Sequence, residues 1–431
     1  MVHPAIYFSC SPMCGKIQNM KIVLFKNIVE SQEFFSFELA KHFHAMGHEI
    51  FFYDCSDPIT AKKKLDSFVE IGNTVFFSFN FNGMINDPLL CEKNGKDPVY
   101  LKNTGIPFVN YVVDHPYYYH KEFQNIPPKY IQISIDENHA SYMERFFPEI
   151  DASTVIYLGG TQLIPYQSGI FEPEMPIKKG TKEDLIPFEK RRDDIVFCGN
   201  YMEPAFFDKY LKGCEEPVRE FYDELFEELK ENPYEPLEKL AEKKIVGVFG
   251  ERATDTYLRD CFENMIVLDL KIRHFFRGKM VKAIADSGHK ITVYGEGYDK
   301  LPLKHPENIV NMGNVDSLKC LKAIANARVS LNIMPWFKKG GHDRVYNSCL
   351  NGALCLSDRS EALQRQFSDM ESIAFFDLKH TEDIAEKYSR LLDDPGKMKD
   401  IAEAGYEISL RDHSWEVRAK EIEKVLKRAL T

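Results

Sequence analysis

No part of the 431-residue sequence holds the roughly 20 uninterrupted apolar residues that a membrane helix needs, so no integral membrane segment is expected. The opening residues lack the charged start and apolar centre of a secretory leader and read as an N-terminal arm over residues 1–19, with Met20 a possible start. Cysteine pairs with zinc spacing are missing as well. The ten cysteines (10, 14, 55, 91, 198, 214, 261, 320, 349 and 355) are scattered and include no Cys-x-x-Cys. Free cysteine then acts as a small hydrophobe, and a reducing, cytoplasmic setting is the simplest reading. Cys10 and Cys14 lack a second pair to complete a metal site. Positive charge is in short supply: 55 Lys and Arg against 66 Asp and Glu give a net charge of −11, which argues against a nucleic-acid partner.

Three further absences narrow the chemistry. The first predicted strand runs into FKNIVESQ without a glycine, and Gly295-Glu296-Gly297 lacks the third glycine of the dinucleotide fingerprint, so a nicotinamide or flavin enzyme is disfavoured. No Gly-Lys-Ser/Thr phosphate loop is present, and no Asp-x-Asp closes a predicted strand. No metal and no cofactor are therefore expected.

What the chain does have is repeated β-α alternation. Near-continuous apolar strands such as MKIVLFKN, EIFFYDC, NTVFFSFNFNG, IPFVNYVVDHP, KYIQISID and TVIYLGG alternate with helical spacing, the pattern of a parallel sheet covered on both faces. This predicts a Rossmann-like domain over 20–185. A Pro- and charge-rich stretch, 163–192, reads as the crossover between domains. A second α/β domain is expected over 190–410, with strands at DIVFCGN, KITVYGEG, NIVNMG, VSLNIMP, ALCLSD and SIAFFD. Residues 203–243 form an acidic helical insertion, and 411–431 a closing helix.

The richest stretch is 293–358, where strand, glycine turn, helix and strand follow in order. Such a succession places a site at the carboxyl edge of a parallel sheet, read here as a nucleotide-sugar site. In the loop PWFKKGGHDRVYN, Gly340 and Gly341 allow backbone N–H groups to approach an anion, and a helix beginning near His342 adds its positive end. Lys338, Lys339, His342 and Arg344 cluster there, and Arg273 and Arg277, expected near the start of a helix, could reach the same phosphates. Fixed cations at a departing diphosphate are what glycosyl transfer requires; the bland alternative is a β-α loop with solvated lysines. On the other side, Asp114 and His115 end the fourth strand, where either could act as base toward an acceptor hydroxyl, with Tyr117, Tyr118 and Tyr119 beside them. Asp136 is expected to cap the following helix, with His139 at the same edge.

The run HDRVYNSCLNGALCLSD (342–358) resembles the H-x-R-x-(F/Y)-E-x-x-x-x-G-x-x-x-x-(T/S)-D pattern of glycosyltransferases related to the spore-maturation protein CgeB, relatives of the group 1 glycosyltransferases. DIVFCGN, ITVYGEG, the stretch 308–335 and the tail LLDDPGKMKDIAEAGYEISLRDHSWEVRAKEI also resemble that family, over about 190–425. The resemblance implies an α/β GT-B fold, two Rossmann-like domains facing across a cleft, with the final helix crossing back. It implies donor binding on the second domain, with Gly295, Gly297, Gly313 and Asn314 on the nucleotide side and Gly341, His342 and Arg344 by the diphosphate. The acceptor, a hydroxyl of a protein, glycan or small molecule, would face the first domain. The chain departs from the pattern at Asn347, where the family has a Glu for the ribose, and at Lys339, where group 1 enzymes carry a second Glu. These departures keep a second reading open: a non-catalytic sugar- or nucleotide-binding protein of spore or cell-surface assembly.

Overall fold

The computed structural model describes residues 19–92 and 95–431. Cys10, Cys14 and all but the last residue of the expected arm lie outside the described residues. Twelve strands form two parallel sheets. The first contains β1 (Lys21–Lys26), β2 (Glu49–Asp54), β3 (Thr74–Phe79), β4 (Phe108–Val112), β5 (Tyr130–Ser134) and β6 (Asp151–Val155), in the order β2-β1-β3-β4-β5-β6. The second contains β7 (Asp193–Cys198), β8 (Ile291–Tyr294), β9 (Ile309–Asn311), β10 (Ala327–Asn332), β11 (Leu354–Asp358) and β12 (Ala374–Phe376), in the order β12-β11-β10-β7-β8-β9. Every strand in β3, β4, β5 and β11 is buried along its whole length, which is why these runs are apolar on both faces rather than alternating. Each fully buried Phe among Phe76, Phe77 and Phe79 contributes about 1.5–3 kcal/mol of hydrophobic stabilisation.

The direction of strand order reverses between β7 and β10 in the second sheet, and ligands of open parallel sheets bind outside the carboxyl ends of strands at such a point. The connection from β7 to β8 carries the helices Glu216–Glu231, Leu237–Phe249 and Asp255–Phe262 before the long helix Ile266–Asp286. The inserted helices therefore extend past the expected 203–243. They dock on the first domain: Arg145 forms a bidentate pair with Glu242 at 2.8 and 2.9 Å and reaches Asp255 at 2.7 Å.

The helix Trp415–Leu430 packs against the first domain, with the Trp415 ring 5.1 Å from Phe35 and 6.3 Å from Phe79. The crossover from the first domain threads a narrow gap. A side chain at Gly159 would come 2.8 Å from Trp415, and one at Gly160 would come 2.6 Å from the Tyr346 backbone. Beyond it, Asn347 Oδ1 accepts from Thr161 N–H and Asn351 Oδ1 from Leu163 N–H, both at 2.8 Å, while Asn351 Nδ2 donates to Thr161 O. Two asparagines one turn apart thus satisfy a backbone that pairs with no strand. Among the described residues no helix is long and apolar enough to cross a membrane.

Candidate functional site

The second domain supplies the cationic wall. β10 ends at Asn332, and the loop that follows leads to His342, the N-cap of the helix Asp343–Leu350. Arg344 turns back over the sheet. Its Nη1 donates to Asn332 Oδ1 at 2.8 Å, and its guanidinium lies 5.2 Å from the Phe197 ring, so the charge sits across the carboxyl ends of β10 and β7. Arg273 and Arg277 reach the same place from the middle of Ile266–Asp286, not from its start as the sequence suggested. Both face Trp336, with guanidinium carbons 4.0 and 5.3 Å from the ring centroid.

The three arginines are not equally paired. Arg273 Nη2 donates to Asp269 Oδ2 at 2.8 Å, and that ion pair keeps it charged although burial opposes it. Arg344 lies beside Asp343. Arg277 donates to the Asn200 carbonyl at 2.9 Å and, like Arg344, makes no ion pair among the described residues; burial, then repulsion from Arg344 and Arg273, pushes its pKa down to about 9. The Nε atoms of Arg273 and Arg277 are buried without a hydrogen-bond partner. The cluster is therefore under-neutralised.

Arg273 and Arg344 open onto an interdomain cleft of about 290 Å³, lined also by Asp114, Trp336, His342 and Asp343, with Arg277 behind Trp336. His342 Nδ1 accepts from Arg344 N–H at 3.2 Å as the helix cap and lies 2.6 Å from Asp343 Oδ1. Burial, then the Arg344 charge, lowers the His342 pKa to about 4, so the ring is neutral near pH 7. Burial works to raise Asp343, yet His342 and Arg344 hold its carboxyl below the usual range. From the first domain, Asp114 at the end of β4 faces the cleft and accepts from Asn80 Nδ2 at 2.9 Å and Tyr119 Oη at 3.3 Å; burial raises its pKa.

His115 parts company with Asp114. It stacks on Tyr117 at 3.8 Å and faces a smaller cavity of about 30 Å³, enough for a water, where its Nε2 lies 3.5 Å from Glu238 Oε2 of the insertion. His139, 4.6 Å away, lines the same cavity, and burial drives its pKa well down. Asp114 lies in a bend past the end of β4 and His115 caps the short helical turn Pro116–Tyr119, so the two expected bases enter different cavities.

The Lys-Lys-Gly-Gly loop also differs from the expectation. Its amides at Lys338 and Lys339 do not face the arginine cluster. They donate to Asp136 Oδ2 of the first domain, at 3.1 and 2.8 Å, while Asp136 Oδ1 caps the helix Glu137–Phe146 through Asn138 N–H. Gly340 is needed because a side chain there would come 2.5 Å from the Ile135 carbonyl, and Gly341 because one would come 2.6 Å from Tyr346 Oη. Lys338 Nζ turns to the carbonyls of Pro233 and Pro335, and burial lowers its pKa to about 8. Lys339 Nζ lies 3.8 Å from Glu361 at the surface. Lys339 thus lies apart from the arginines, while Lys338 shares the smaller cavity with Arg273.

Gly295 and Gly297 let the end of β7 pack closely: added side chains would come 2.3 Å from Gly199 O and 2.1 Å from Tyr201 O, and Gly297 has a φ of +90°. Gly313 has a φ of +71° with open space around it, and Asn314 after it is exposed. Asn347 lines the cleft, but its amide is engaged on both sides, by Thr161 N–H and by Asp343 Oδ2 at 2.9 Å. Sequence reasoning missed Trp336, Asp343, Asn80 and Asp269. Trp336 carried a signal, being one of two tryptophans and lying directly before the glycine loop. Asp269, four residues before Arg273, carried another.

Residues 273–424 match a family model described as glycosyl transferase-like. No curated protein matches the chain by sequence. Among solved structures, the chain is similar to an α-glucosyltransferase in complex with UDP and a 13-mer DNA containing an A:G mismatch. The TM-score is 0.52 and the identity 12%, over 95% of this chain and 100% of that one. It is also similar to HepE of Anabaena in complex with UDP-glucose, with a TM-score of 0.50 and 10% identity over 95% and 100% of the two chains. The architecture is the two-domain α/β fold of GT-B glycosyltransferases.

Proposed function

We propose that this chain is a metal-independent glycosyltransferase that moves a sugar from a nucleoside-diphosphate donor to a hydroxyl acceptor. One observation carries the reading: three guanidiniums, those of Arg277 and Arg344 buried, gather near the β7/β10 reversal point, and among the described residues only Arg273 of the three forms an ion pair. A diphosphate there gains charge-assisted hydrogen bonds from Arg344 and Arg277 and is stabilised as it departs. The UDP and UDP-glucose held by the two structural neighbours belong to the same ligand class.

In this reading Asp343 supplies the ribose carboxylate. A Glu at position 347 would face Asp343 across a 2.9 Å contact that now joins an amide to a carboxylate, so the chain keeps one acid and moves it a turn earlier. Asp114 faces the same space from the acceptor side, and its raised pKa suits a general base in an inverting reaction. In a retaining reaction the leaving phosphate takes the acceptor proton, and Asp114 orients the hydroxyl.

Titration calorimetry with UDP, GDP, dTDP and CMP, followed by nucleotide release from the matching sugar donors, tests this. Arg344→Ala weakens nucleotide binding by about 10–100-fold, the loss of one charged hydrogen-bonding group, whereas Arg252→Ala in the insertion leaves it unchanged. Asp114→Asn lowers turnover by about 100-fold or more with little effect on nucleotide affinity. Equal effects of the two arginine changes refute the diphosphate assignment. Addition of EDTA leaves turnover intact if the arginines do the work of a divalent ion.

A further inference from the structure

The cleft wall holds a pair of thiols that the proposed reaction does not use. Cys198 is the last residue of β7, and Cys320 is the fourth residue of the helix Ser317–Ala325. Both line the cleft beside Arg344, Cys198 buried and Cys320 half-buried. Cys198 Sγ donates to the Cys320 carbonyl oxygen at 3.9 Å, so the two cysteines are in direct contact.

The pair is chemically asymmetric. The hydrogen bond shared with Cys198 and then the Arg344 guanidinium lower the Cys320 pKa, although burial opposes them. The same hydrogen bond, together with burial, pushes Cys198 upward. Burial also raises Cys55, Cys91, Cys261, Cys349 and Cys355, so Cys320 is the one described cysteine held low. A low thiol near a helix N-terminus, accessible from a cleft and touching a second thiol, has the arrangement of an attacking and a resolving cysteine.

We propose that Cys198 and Cys320 form a reversible disulfide that shuts the nucleotide end of the cleft, making donor binding redox-sensitive. The oxidant class is a soluble disulfide, RSSR. The Cys320 thiolate attacks one of its sulfurs, forming a mixed disulfide and releasing one RS⁻, which takes up the Cys320 proton. Cys198 then gives up its proton and displaces the second RS⁻, which leaves as RSH. The balance is two Cys–SH plus RSSR giving one Cys198–Cys320 bond and two RSH. Replacing a hydrogen-bonded contact by a bond of about 2 Å draws the start of the helix toward β7, next to Arg344. The helix is anchored on its other side, because Ser317 N–H and Oγ both donate to the Glu30 carboxylate of the first domain, at 2.9 and 2.8 Å. The movement therefore narrows the cleft between the domains.

The effect on the donor rests on the glycosyltransferase reading; the bond itself does not. The test treats the full chain with oxidised glutathione, alkylates remaining thiols, and maps peptides by mass spectrometry, with UDP affinity measured before and after. The expected result is a Cys198–Cys320 cross-link, a UDP affinity lower by about tenfold or more, and recovery with dithiothreitol. In Cys198→Ala and Cys320→Ala, glutathione no longer changes UDP affinity. Alkylation of both cysteines after oxidation, a cross-link with unchanged UDP affinity, or an oxidation effect that persists in both variants each overturns the proposal. Failure of the reduced chain to bind UDP overturns the donor reading and, with it, the control of that site.

Discussion

Arg277→Met is expected to make the empty protein more stable and the nucleotide complex weaker. The fall of its pKa from an ordinary value of about 12.5 to about 9 measures how far the folded state disfavours this charge. At about 1.36 kcal/mol for each tenfold change in proton affinity, that is roughly 5 kcal/mol. Methionine gives back part of it, losing the bond to Asn200 O, worth about 1.5–3 kcal/mol for a charged donor, and the contact with Trp336, worth about 0.5–1 kcal/mol. A gain of about 1–3 kcal/mol remains. The sign holds at neutral pH: the folded pKa is depressed, so below about pH 9 the group is charged in both states and the full penalty is present. The same change removes a phosphate partner and raises the Kd for UDP by about 10–100-fold. Urea denaturation at pH 7.5 without ligand, set beside calorimetric titration of UDP, reads both quantities. A variant that loses stability and binding together would refute the idea that the charge waits for an anion, because Arg277 would then be an ordinary structural arginine.

Asp358 is pushed up to about 7 by burial, and its Oδ2 has no hydrogen-bond partner. The folded state thus keeps a proton that the unfolded chain loses near pH 4, and stability from this group declines as pH rises through 7; the advantage of Asp358→Asn over the parent grows by up to about 4 kcal/mol between pH 4 and 8, read as paired melting curves. Asn347→Ala strands Thr161 N–H and lowers stability by about 1–3 kcal/mol, measured in urea, whereas Asp343→Asn mainly weakens UDP, by about tenfold in calorimetry. Asp136→Ala removes a helix cap and the partner of two loop amides, which lowers the melting temperature and speeds proteolysis within 335–341.

The alternation of apolar strands with helical spacing was enough to read both sheets, because parallel strands buried on both faces leave an uninterrupted signature. The helix after His342 was legible from its glycine stop and Arg344 from its place in the first turn. The partners of the loop were not. Gly340 and Gly341 look like an anion cradle in one dimension, but the residue that fills it, Asp136, lies about 200 positions away and on the other domain. Asp114 and His115 are neighbours in sequence and open onto different cavities, since the chain bends at Asp114 and His115 caps the turn that follows. Asn347 read as a lost carboxylate until its contact with Asp343 showed where an acid had been kept.

The Asp136 carboxylate on the Lys338 and Lys339 amides makes the first domain a tethered ligand of the second. A tether turns binding into an intramolecular event, with an effective concentration on the order of millimolar or higher for a short link. Free sulfate or phosphate below that level therefore does not displace Asp136, although it reaches the arginines at the other end of the cleft unopposed. The Lys338 and Lys339 amides are thus a filled address for an anion, and the arginine cluster an open one.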